Sequence, residues 1–85
     1  DHQADWQNEY GTVLYRQGRY EEAIDHFREA ESLSPENAVI KANLGFTYVA
    51  LGEDAAAAQY FEAYMARPGG GDAVRMAVQC AMDLL

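Results

Sequence analysis

Apolar and polar residues alternate along this chain with a helical period, and the pattern is interrupted at regular places. From about Ala4 to Gln17, Trp6, Tyr10, Val13 and Leu14 recur at helical spacing, which predicts a helix over 4–17. A second helix is predicted over 20–33, with Tyr20, Ala23, Ile24, Phe27, Ala30 and Leu33 inward and Glu22, Asp25, His26 and Glu29 outward. Glu21 and Glu22 lie in its first turn, where carboxylates meet the positive end of the helix dipole. Gly18 stands between the two, placed to end the first helix in the left-handed conformation. Ser34 as N-cap and Pro35 as first helical residue predict a third helix over 35–51. Its inward residues are Ile40, Leu44, Thr47, Tyr48 and Leu51, and Gly52 stops it. An alanine-rich fourth helix over 54–66 follows, then a break at Pro68 and Gly69 to Gly71. The fifth helix is predicted over 72–84.

The interruptions repeat. Gly11 recurs as Gly45, Gly18 as Gly52, Ala23 as Ala57 and Phe27 as Phe61, each 34 residues on. A fixed period in this range marks stacked helical arrays. One domain is expected over 1–85, divided into a first repeat over 4–37, a second over 38–71 and a half repeat over 72–85. In that half repeat Val74, Val78 and Met82 take the places of Ile40, Leu44 and Tyr48, while Gln79 replaces the glycine. Tyr64 stands where the first repeat has the small Ala30, so the fifth helix is expected to sit rotated or shifted. Glycine inside a helix costs about 1 kcal/mol against alanine, so Gly11 predicts a close helix approach.

Trp6, Tyr10-Gly11, Leu14, Gly18, Tyr20, Ala23, Phe27, Ala30 and Pro35 resemble the tetratricopeptide repeat in type and spacing. Leu44-Gly45, Tyr48, Gly52, Ala57 and Phe61 resemble its second copy. The resemblance implies an all-α fold, a right-handed superhelical stack of antiparallel helix pairs, with about two and a half repeats here. It also implies that the first helix of each pair lines a concave, partner-binding side.

Charge narrows the partner. The net charge of −8 argues against nucleic acid and against an anionic membrane surface. No apolar run approaches the length of a membrane span and no signal peptide is visible, so a soluble protein is expected, its compartment left open with the cytoplasm favoured. A single cysteine excludes an internal disulfide. The chain opens on Asp1 rather than methionine, as expected of a piece of a longer protein.

Candidate chemistry is sparse. His2, His26 and Cys80 have no metal-ligand spacing, Glu21, Glu22, Asp25 and Glu29 form a solvated helix face, and Gly69 to Gly71 lack the lysine and strand of a phosphate loop. No enzyme activity, cofactor or metal is therefore expected.

A groove is the expected site. On the side that the resemblance makes concave, spacing places Asn8, Thr12, Tyr15 and Arg16 of the first helix, Val39, Ala42, Asn43, Phe46 and Val49 of the third, and Met76 of the fifth. Val39, Ala42, Phe46 and Val49 form one apolar stripe beside a core already filled by Ile40, Leu44 and Tyr48. Such a groove suits an extended or helical peptide with one or two apolar anchors, and Phe46→Glu is expected to weaken binding without lowering the melting temperature. Family members that grip acidic chaperone tails use a basic clamp; of its places only Asn43 matches here, so that ligand is rejected. The function expected is a non-catalytic protein-interaction module, scaffold-like or chaperone-like. The alternative is a structural unit that self-assembles through the apolar helix 72–84, as a homo-oligomer or as a fragment of a longer array.

Overall fold

A computed structural model describes residues 2–66 and 72–84. Five helices and no strand occur among the described residues: α1 His2–Arg16, α2 Tyr20–Leu33, α3 Ala38–Ala50, α4 Asp54–Ala66 and α5 Asp72–Leu84. The break expected at Pro68 to Gly71, and Leu85, lie outside them. The fold is an all-α stack of helix pairs.

Both pairs turn by the same device. Gly18 and Gly52 have φ of 80° and 79°, the left-handed region glycine enters without strain. Gly18 N–H donates to Tyr15 O and Arg19 N–H to Leu14 O; after the repeat interval, Gly52 donates to Val49 O and Glu53 to Tyr48 O. These are Schellman closures. Within the first pair, Gln7 meets His26, Gly11 lies on Phe27 and Tyr15 meets Tyr20, so α1 and α2 run antiparallel.

The two helical glycines are where the pairs close up. A Cβ on Gly11 would stand 2.7 Å from Cε1 of Phe27, and one on Gly45 2.5 Å from Cε1 of Phe61. Each phenylalanine ring occupies the space a side chain would need. One core layer joins Leu14, Ala23, Ile24, Phe27, Ala30, Ile40 and Leu44 across α1, α2 and α3. A second joins Ala38, Ala42, Ala57, Phe61, Tyr64 and Val78 across α3, α4 and α5.

Several element boundaries differ from expectation. Helix α3 begins at Ala38, because Asn37 rather than Ser34 is its N-cap: Asn37 Oδ1 accepts from Val39 N–H at 3.0 Å and Ile40 N–H at 3.4 Å. Ser34 instead closes α2 by donating its N–H to Ala30 O, and Pro35 falls in the turn between. Leu51 is the C-cap of α3 and half-exposed rather than inward. Helix α1 starts at His2, and Ala4 is buried at the register place of Ala38. Trp6 is 58% exposed, and Tyr10 and Val13 are also exposed, although their spacing had pointed inward. Their register counterparts explain this: Ile40 is 1% and Leu44 0% exposed because α2 covers them, while α1 has no helix on that side among the described residues.

Helix α5 docks by its predicted stripe. Val78 is buried, and Val74, Ala81 and Met82 pack beside it. Tyr64, at the register place of Ala30, is fully buried in the same layer.

Candidate functional site

Between α1 and α3 lies a cavity of about 200 Å³ lined by Thr12, Tyr15, Arg16, Phe27, Asn43, Phe46 and Thr47. Its architecture follows from local choices. Tyr15 is steadied by an edge contact with Tyr20, ring centroids 5.3 Å apart. Thr12 Oγ1 donates to Asn8 O at 2.9 Å and Thr47 Oγ1 to Asn43 O at 2.7 Å, so both hydroxyl protons are committed to their own helices. Asn43 Nδ2 donates to Asn8 Oδ1 at 2.8 Å and ties α3 to α1 beside the cavity. Asn43 retains a second N–H, and Arg16 is exposed at the end of α1.

Five of the predicted residues line the cavity: Thr12, Tyr15, Arg16, Asn43 and Phe46. Asn8 borders it through its bond to Asn43. Val39 is half-buried, Val49 exposed, and neither lines the cavity. Ala42 offers no binding surface. It is 1% exposed and packs with Phe61, Tyr64 and Val78, because α3 lies between two neighbours and uses that flank for the second core layer. Met76, on α5, is 67% exposed and away from the cavity lining. Phe46 is half-buried and packed on the second core layer, so Phe46→Glu is now expected to lower the melting temperature as well. Sequence reasoning missed Phe27 and Thr47. Phe27 was assigned wholly to the core, although its ring passes over Gly11 and reaches the groove floor. Thr47 sits one helical turn beyond Asn43, which was the available signal.

The lining combines aromatic floor, amide and guanidinium. That set can bury one apolar side chain and hydrogen-bond the backbone around it. Among the described residues no cluster of three or more His, Cys, Asp or Glu side chains could hold a metal. None of the described helices is long and apolar enough to cross a membrane. Outside the groove, Lys41 Nζ reaches Glu31 Oε2 at 3.3 Å and links α3 to α2. Burial, then the Glu31 carboxylate, raises the pKa of Tyr60 above the ordinary tyrosine value.

A family model described as TPR repeat matches residues 11–52, the stretch that holds both helical glycines and both turn glycines. Residues 11–52 are thus of the tetratricopeptide-repeat family. The chain is also similar to the type IV pilus assembly protein PilF of Pseudomonas aeruginosa, with 42% identity over 57 residues. That alignment takes in 65% of this chain and 23% of the relative, so the chain spans less than a quarter of that protein. Tetratricopeptide repeats generally mediate protein–protein contacts and are not catalytic.

Proposed function

We propose that this tetratricopeptide chain is an interaction module that holds a segment of a partner protein in the groove between α1 and α3. The observation that carries the reading is the cavity itself, with Phe27 and Phe46 at its floor and Asn43 and Arg16 at its rim. An apolar anchor of the partner enters, while Asn43 and Arg16 donate to its backbone or to a neighbouring carboxylate. The relative's name, an assembly protein, fits a scaffold role in building a larger structure. Residues 4–37 and 38–71 act as the two repeats that form the groove, with 72–85 as a capping half repeat. Panning a random displayed peptide library on the chain tests this. Selected peptides should lose at least tenfold in affinity, about 1.4 kcal/mol, on Arg16→Glu and on Thr12→Arg. Peptides that bind both variants as well as the parent would overturn the groove.

A second reading rests on α5, where Met76 and Leu84 are exposed beside Cys80. In that reading the chain self-assembles through this helix. A sedimentation series that stays monomeric at all concentrations removes it.

A further inference from the structure

The cavity between α1 and α3 offers its polar groups selectively. Phe27 and Thr47 are buried and close its base, so an entering group meets Thr12, Tyr15, Arg16, Asn43 and Phe46. The hydroxyl proton of Thr12 is spent on Asn8 O, which leaves Thr12 Oγ1 only lone pairs to offer. That donation also polarises the hydroxyl and makes it a better acceptor. Asn43 gives one N–H to Asn8 Oδ1, and its own Oδ1 has no donor among the described residues. Two acceptors therefore stand among aromatic rings, Tyr15 held by Tyr20 and Phe46 held by Phe61. Arg16 is exposed and has no hydrogen bond, ion pair or ring contact among the described residues.

Stacking does not demand these polar groups. One repeat interval on, the places of Thr12, Arg16 and Asn43 hold Phe46, Ala50 and Ala77, and α3 meets α5 without them. The set belongs to this cavity alone of the two junctions.

Size narrows the entrant. A closed apolar cavity of about 150 Å³ accepts benzene. The cavity here, about 200 Å³ and open to solvent on one side, takes a ring and something more. Leucine would leave part of it unfilled and forfeit contacts. Lysine or arginine would bring a second cation to Arg16. Phenylalanine supplies a ring but no donor for the two acceptors. An indole meets every condition: its N–H donates and does not accept, and its face is the best cation–π partner for an unpaired guanidinium.

Resting on the groove reading above, we propose that the cavity is a tryptophan pocket. The partner segment anchors itself by an indole that donates its N–H to Thr12 Oγ1 and lies under the Arg16 guanidinium. Asn43 Oδ1 accepts from the partner's backbone beside it.

N-acetyl amides of single amino acids probe the pocket apart from any peptide sequence. They are titrated into the full chain and followed by amide NMR at Thr12, Asn43 and Phe46. The tryptophan amide should saturate and bind at least fivefold tighter than the phenylalanine and leucine amides. The tryptophan amide methylated on its ring nitrogen has no N–H and should bind at least threefold more weakly than its parent. Thr12→Val, close to isosteric, should abolish that gap with circular dichroism unchanged, and Arg16→Gln should weaken both indoles alike. Equal binding of the tryptophan, phenylalanine and leucine amides overturns the tryptophan pocket and leaves the groove reading standing. A methylation gap that survives Thr12→Val overturns it too. If no amide shifts these residues, the pocket is overturned, while library peptides that still lose affinity on Arg16→Glu would keep the groove.

Discussion

The ring of Phe46 meets the ring of Phe61 edge-on, centroids 5.2 Å apart and planes at 66°. Phe61 in turn occupies the space above Gly45. The groove floor and the α3–α4 core are thus one aromatic stack, so a change at Phe46 acts on both. Phe46→Glu should lower the unfolding free energy by about 2–3 kcal/mol as well as weaken binding, since a carboxylate replaces a buried aromatic contact. Urea denaturation beside a binding titration reads the two losses. An unchanged urea midpoint would show that the ring contributes nothing to the core.

Gly45→Ala tests the close approach by sign. In an open helix interior this change stabilises by about 1 kcal/mol. Here the new Cβ meets the Phe61 ring, so a net loss of about 1–2 kcal/mol is expected from overpacking. Gly52→Ala should also cost about 1–2 kcal/mol, but through its positive φ alone, because nothing stands within 4 Å. A stabilised Gly45→Ala chain would mean that the helices are not in contact at that point.

The hydroxyl of Tyr64 is buried and has no hydrogen-bond partner among the described residues. Leaving such a group unpaired costs about 1–3 kcal/mol. Tyr64→Phe keeps the ring and removes the orphaned oxygen, so the melting temperature should rise by a few degrees, on the order of 1 kcal/mol. A drop in calorimetry would show that the hydroxyl has a partner in solution.

The start of α3 can be decided by two alanines. Asn37→Ala removes the cap that accepts two backbone N–H groups and should cost about 1 kcal/mol. Ser34→Ala should stay within about 0.5 kcal/mol, because Ser34 closes α2 through its backbone N–H, which alanine keeps. The reverse ranking in chemical denaturation would place the cap at Ser34.

What was legible in the chain was everything written locally. Helical periodicity located five helices, the recurring glycines located the turns, and Gly11 announced a close helix approach, whose partner ring at Phe27 the structure supplied. These signals lie within one helix or one turn, where spacing alone sets geometry. The groove was half legible: Thr12, Tyr15, Arg16, Asn43 and Phe46 follow from helix faces, and all five line the cavity.

Tertiary structure decided the rest, because an apolar residue on a helix does not say which neighbour will cover it. Ala42 shares a stripe with Phe46, yet α4 and α5 bury it. Trp6 and Tyr10 have the spacing of Ile40 and Leu44, yet they remain exposed because the helix that would cover them is not beside α1 among the described residues. The cap at Asn37 likewise depended on how α2 ended, since Ser34 was already engaged in closing it. Periodicity fixes which side chains share a face; burial of that face belongs to the pair of helices that meet there.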